Sequence, residues 1–130
     1  MTNLSVLRKR AEFLAVAGQG RKWVTPGLIL QEGRALPPDQ IQAQTQTQDQ
    51  TRPIRYGLTA SGKIGNAVVR NRARRRLRVL AENLLPKHAT AGCDYVLIAR
   101  ASTPTRDFAA LEHDLVTAIK KLGSAHGTKA

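Results

Sequence analysis

Between Asn66 and Leu85, the residues Val69, Ala73, Leu77, Leu80 and Leu84 recur at spacings of 4, 4, 3 and 4, the period of a helix with one buried stripe. The same stretch carries RNRARRRLR from Arg70 to Arg78: six arginines in nine positions, with no acid until Glu82. A disordered basic tail lacks such a stripe. The chain must therefore build a helix whose apolar side is packed and whose cations stand at fixed positions. Arg70, Arg74 and Arg78 stack at i, i+4 and i+8 along one flank, with Arg75 just beyond, while Arg72 and Arg76 lie on the other. Guanidinium forks held in a row suit phosphate oxygens. A solvated mixed-charge face would interleave acids to relieve self-repulsion, and here none is interleaved. The helix is expected to face a polyanion.

The rest of the chain agrees. Its 130 residues suggest one domain, and 42% hydrophobic content can bury a modest core. The net charge is +12 and the isoelectric point about 11.1. Charge is concentrated: Arg52 to Arg100 holds 11 of the 21 basic residues but only two acids, Glu82 and Asp94. A one-sided basic footprint fits nucleic acid. A membrane surface is the competing polyanion, but no aromatic residue flanks the arginines as in interfacial helices. A single cysteine, Cys93, allows no internal disulfide, no apolar run reaches membrane-span length, and the basic N-terminus lacks a following apolar segment. A cytoplasmic protein is expected.

Patterning gives an α+β fold in the order α-β-β-β-α-β-α, a single-domain sandwich with helices packed on a mixed four-stranded sheet. The first helix is predicted over about Arg8 to Ala17, with Phe13, Leu14 and Ala17 on one face and Arg10 on the same side. Trp23-Val24 and Leu28 to Gln31 read as short strands. Residues 38–51 form a Gln-rich flexible insert in which glutamine occupies every even position from 40 to 50, with no apolar face to join a sheet. Ile54, Tyr56, Leu58 and Ala60 alternate as in a strand. SGKIGN then makes a Gly-rich turn, Asn66 caps the arginine helix, and Pro86 closes it. Asp94 to Arg100 is the most strand-like segment, suited to a buried central position. The last helix starts near Thr103-Pro104-Thr105 and buries Phe108, Leu111, Leu115, Ala118, Ile119 and Leu122. Gly123 ends it, leaving 123–130 as a frayed tail.

Catalytic patterns are weak. Gly57 to Lys63, GLTASGK, matches the start of a phosphate-cradling loop between a strand and a helix, but Ile64 stands where a Mg²⁺-binding Ser or Thr belongs. The glycines serve better to turn the chain and present backbone N–H groups at a helix N-terminus to an anion. No nucleotide cofactor is expected. His88, His113 and His126 are scattered, Cys93 has no companion at metal-ligand spacing, and Asp107, Glu112 and Asp114 fall on the solvent side of the last helix. No protein catalytic residue and no protein-bound metal are expected. Aromatics are 4% of the chain, too few for a module with paired stacking aromatics, although Phe13 and Trp23 could each stack on a base. A ribosome-associated RNA-binding protein without nuclease activity would share this charge and architecture.

The stretch RYGLTASGKIGNAVVRNRARRRLR, Arg55 to Arg78, resembles the bacterial ribonuclease P protein subunit: a strand running into Ser-x-Lys, a Gly-Asn-Ala-Val helix start, Arg-Asn-Arg, a basic pair and a further arginine. The likeness continues into DYVLIAR and, more loosely, into LRKRAEF. It departs at Gly62 (often lysine), Ala17 (often aromatic) and Val79 (often acidic or amide).

The resemblance implies a subunit that binds the catalytic ribonuclease P RNA and precursor tRNA. The holoenzyme removes 5′ leaders endonucleolytically, with Mg²⁺ held mainly by the RNA. By position, Lys63, Arg70, Asn71, Arg72, Arg74, Arg75 and Arg78 would contact the RNA subunit. Lys9, Arg10 and Phe13 would line a leader-binding cleft between the first helix and the sheet. The family fold also implies a left-handed β-α-β crossover through the arginine helix, against the usual hand.

Overall fold

The computed structural model describes residues 4–34, 54–89 and 93–127. Along the chain these form β1 (Leu4–Val6), α1 (Arg10–Gly18), β2 (Lys22–Val24), β3 (Leu28–Arg34), β4 (Ile54–Thr59), a 3₁₀ turn (Gly62–Ile64), α2 (Ala67–His88), β5 (Cys93–Ala99) and α3 (Phe108–Gly127). The α+β class holds, but the sheet has five strands, not four, in the order β1-β4-β5-β3-β2. The additional strand, β1, is three residues long and pairs parallel with β4, Leu4 opposite Ile54 and Val6 opposite Tyr56. The Gln-rich segment 38–51 lies outside the described residues.

Strand directions fix the topology. β4 and β5 are parallel, β3 runs antiparallel to β5, and β2 antiparallel to β3. Hence β1, β4, β5 and β2 all point the same way. Two crossovers, β1-α1-β2 and β4-α2-β5, then travel in the same direction across the sheet. Their helices lie on opposite faces, so the two crossovers have opposite hands and one of them is necessarily left-handed, an exception to the rule for parallel connections.

Alternation along the strands sorts the core into two layers. Leu28, Leu30, Ile54, Tyr56, Tyr95 and Leu97 point to one face and pack against Ala73, Leu77, Leu80, Ala81 and Leu85 of α2 and Leu111, Leu115, Ala118 and Ile119 of α3. Val96 points to the other face and forms a smaller cluster with Leu7 and Val16, against which Phe13 and Ile98 pack. Each fully buried leucine of the larger layer is worth about 2–5 kcal/mol against truncation to alanine.

Several helix readings change. On α1 the inward residues are Val16 and, in part, Phe13, while Leu14 is 55% exposed and Ala17 is exposed. The cause lies in the sheet. A β-carbon at Gly33 would lie 3.2 Å from the Val16 backbone, and one at Gly57 2.5 Å from the Phe13 ring, so these two glycines determine which side of α1 can approach. α2 passes through Pro86 to His88, because the missing N–H there costs one hydrogen bond near an exposed helix end. α3 begins at Phe108, not Thr103, with the Asp107 carboxylate accepting the Ala110 N–H at 3.3 Å. It continues beyond Gly123 to Gly127, since one glycine costs a helix only about 1 kcal/mol. Asp114 is buried, not solvent-facing: its carboxylate accepts from Arg106 Nε at 2.8 Å.

Candidate nucleic-acid interface

The start of α2 is built by local hydrogen bonds. Ser61 Oγ accepts the Lys63 N–H at 3.3 Å and Asn66 Oδ1 accepts the Val69 N–H at 3.0 Å, confirming Asn66 as the N-cap. Gly65 between them has φ +147°, a conformation that needs glycine. These bonds fix where the helix begins and hence where each arginine points. Lys63, Asn71, Arg72, Arg74, Arg75 and Arg78 are exposed. Arg70 is half-buried, and its Nε is buried with no hydrogen-bond partner among the described residues. Arg74 Nη1 lies 3.4 Å from Asn71 Oδ1, a loose bond that leaves most of both groups free. The ion pairs found among the described residues involve Arg21, Arg55 and Arg106, none of them on α2. The flank is therefore a row of cations not neutralised by described acids.

Arg76 is different. Its guanidinium donates to the carbonyls of Thr103 at 3.0 Å, Pro104 at 2.6 Å and Arg106, and lies 5.6 Å from the Phe108 ring centroid. The two flanks seen in the sequence thus diverge in use: at Arg76 the second flank is joined to the β5–α3 turn. That turn is itself tied to the β2–β3 turn through Thr103 Oγ1 to Gly27 O, Ser102 Oγ to Pro26 O and Arg100 to Thr25 O, at 2.6–2.7 Å.

On the opposite face, Lys9 and Arg10 are exposed at the start of α1, and Phe13 is half-buried one turn later. Phe13 is both core and surface: one side packs on Gly57 and Leu7, while the rest stays open. Beside it runs an in-register row across the sheet, Val24, Ile29, Ile98 and Thr59. None of the four is fully buried, so together with α1 they make a shallow groove whose floor is apolar except for Thr59. Strand alternation could have placed Ile29 and Ile98 opposite Leu28, Leu30 and Leu97, but not beside Phe13. Trp23 is not part of this groove. It points to the α3 face, where Lys121 Nζ lies 5.8 Å from its ring centroid, so the two candidate stacking aromatics lie on opposite sides of the sheet.

Under α1, Arg55 of β4 pairs with Asp94 of β5 and with Glu12 of α1. Glu12 also accepts the backbone N–H groups of Lys9 and Arg8. Those two bonds, aided by Arg55, hold its carboxyl below the usual glutamate range. The pairing of Arg55 with Glu12 carried no signal in the sequence, because they are 43 residues apart. No helix of the described residues is long and apolar enough to cross a membrane.

The fold and sequence have relatives. The Ribonuclease P family profile matches residues 1–123. The ribonuclease P protein component of Paramagnetospirillum magneticum is 46% identical over 127 residues, covering 98% of this chain and 89% of that protein. That of Gluconacetobacter diazotrophicus is 46% identical over 118 residues, 90% of each chain. Among solved structures, the RNase P protein from Thermotoga maritima superposes with a TM-score of 0.67 at 20% identity, over 90% of this chain and 96% of that one. An RNase P protein from Staphylococcus aureus gives 0.65 at 21%, over 88% and 92%; at these identities the likeness is one of fold. With sequence identity across nearly its whole length and the same architecture, the chain belongs to the ribonuclease P protein component family, as a subunit of that endoribonuclease.

Proposed function

We propose that the chain serves ribonuclease P by offering two separate surfaces to two RNAs. The α2 surface, Lys63, Arg70, Asn71, Arg72, Arg74, Arg75 and Arg78, binds the phosphates of the catalytic RNA subunit. The groove beside α1, with Lys9, Arg10 and Phe13, takes the single-stranded 5′ leader of precursor tRNA. Endonucleolytic removal of that leader leaves the mature tRNA 5′ end. The observation that carries this reading is separation: the row of cations on α2 lies on one face of the sheet, and the half-buried aromatic with its flanking cations lies on the other.

Bond cleavage belongs to the RNA subunit, whose Mg²⁺, held mainly by RNA, supplies the metal-ion chemistry. The protein contributes charge and position. Its net +12 offsets phosphate repulsion, lowering the Mg²⁺ concentration at which the RNA subunit works. The protein requires no nucleotide, and its setting is the cytoplasm.

Matched titrations test the reading. Phe13→Ala should spare assembly with the RNA subunit yet weaken binding of long-leader precursor tRNA, because a base stacked on an aromatic contributes about 1–3 kcal/mol. The loss should nearly vanish for a substrate trimmed to a one-nucleotide leader. Equal impairment of assembly and of both substrates, with the fold intact, would rule out two separate surfaces. Cleavage by rigorously RNA-free protein would rule out an RNA-borne reaction.

A further inference from the structure

Arg55 stands where three elements meet. Its Nε and Nη2 donate to the two oxygens of Asp94 at 2.9 and 2.7 Å, a two-point pair between register neighbours on β4 and β5. Its remaining nitrogen, Nη1, donates to Glu12 Oε2 at 2.9 Å. The other Glu12 oxygen accepts the backbone N–H groups of Arg8 at 2.9 Å and Lys9 at 3.0 Å. One carboxylate thus closes the first turn of α1 and ties it to the sheet.

The geometry leaves little slack. The Asp94 side chain is only 3% exposed, and a buried carboxylate holds a guanidinium in a fixed plane. With two donors of the planar fork committed to Asp94, the direction of the third is set, and so is the place where Glu12 can stand. The apolar contacts beneath α1, Val16 and Phe13 against Leu7 and Val96, are non-directional. The polar bridge therefore defines the register of α1 along the sheet. That register carries Lys9 at the helix cap, Arg10 at its first residue and Phe13 immediately after Glu12.

We propose that Arg55 and Glu12 are positioning residues for the leader groove, setting where Lys9, Arg10 and Phe13 meet the RNA. This rests on the reading of the α1 groove as the leader site. It differs from a general stabilising role in being one-sided, because α2 is held on the far face by the larger apolar core.

The experiment uses reconstituted holoenzyme carrying Glu12→Gln, Arg55→Lys or Phe13→Ala, with long-leader and one-nucleotide-leader precursor tRNA. Glu12→Gln keeps an oxygen for the helix cap but loses the charge, and Arg55→Lys keeps a charge but replaces the fork by a single point. Each should weaken long-leader binding roughly three- to tenfold, the range of a partly exposed charged hydrogen bond. Short-leader binding and RNA-subunit assembly should stay within about twofold. If Phe13→Ala depends on leader length and the other two do not, the positioning role is overturned while the groove stands. If Phe13→Ala is itself indifferent to leader length, the groove reading fails and the positioning role with it. Equal losses for both leaders from Glu12→Gln or Arg55→Lys would make the bridge a general stabiliser and overturn the proposal. Should Glu12→Gln fail to assemble, amide exchange in Arg55→Lys decides. Faster exchange confined to Lys9 and α1 supports the role, and uniform acceleration in α1 and α2 overturns it.

Discussion

Arg76 lies over Phe108, its guanidinium carbon 5.6 Å from the ring centroid, while its nitrogens serve three carbonyls of the turn that leads into α3. One of the six clustered arginines is therefore turned into the protein, and the other five are those of the proposed RNA surface. Arg76→Ala should lower unfolding stability by about 1–3 kcal/mol and leave the salt dependence of assembly unchanged. Arg74→Ala should do the reverse, weakening assembly by roughly 1–3 kcal/mol and reducing the salt slope by about one charge. Denaturant unfolding beside assembly titrations at several salt concentrations separates the two.

Gly57 offers a way to move Phe13 without touching it. A methyl group there would lie 2.5 Å from two carbons of the ring and 3.3 Å from Leu7. Because the ring is the movable partner, Gly57→Ala should swing it off the sheet, at about 1–3 kcal/mol of overpacking cost. Long-leader binding should fall as it does for Phe13→Ala, with RNA-subunit assembly retained. Substrate titrations on the folded variant check this.

Acid should loosen α1 first. The Glu12 carboxyl is lowered by the Lys9 and Arg8 backbone N–H groups and by Arg55. A depressed carboxyl contributes stability that is complete above the ordinary glutamate value and is lost as pH falls through the depressed one. Protonating Glu12 removes the negative charge that the Arg55 guanidinium and the Arg8 and Lys9 backbone N–H groups face. Amide exchange followed downward in pH should show α1 opening before α2, and Glu12→Gln should remove that pH dependence.

Two tyrosines bind carboxylates in contrasting surroundings. Tyr95 Oη donates to Glu32 at 2.8 Å, and Glu32 is 1% exposed; Tyr56 Oη donates to Glu82 at 3.1 Å, where Glu82 is exposed. Water can replace the second bond but not the first. Tyr95→Phe should cost about 1–3 kcal/mol and Tyr56→Phe about 0.5–1.5 kcal/mol, measured by chemical unfolding.

The sequence foretold those parts of the fold governed by local rules. The apolar stripe gave α2, alternation gave β4, the β-branched run gave β5, and Asn66 was legible as a cap. What escaped depends on distant partners. β1 is too short to show a period, and its mate begins 50 residues later at Ile54. Nine residues of α1 carry no resolvable stripe, and Gly33 and Gly57 of the sheet, not the helix itself, select Val16 over Leu14 as its inward side. Asp114 reads as a surface acid until the Arg106 side chain folds back onto it. In the candidate site, the arginine flank was readable because one helix carries it. The floor beside Phe13 was not, since it is assembled from four separate strands.

The sheet order also governs when the groove can exist in a growing chain. Its central strand, β5, is made after β1, α1, β2 and β3, yet β3 can join the sheet only through β5, and β1 only through β4. On a ribosome adding about 5–20 residues per second, residues 35–99 require roughly 3–13 s. During that interval the first 34 residues can complete only the β2–β3 hairpin, and α1 has no finished surface to rest on. The groove beside α1 is therefore a late product of synthesis, and a chain interrupted before β5 would carry much of the arginine charge with no such groove.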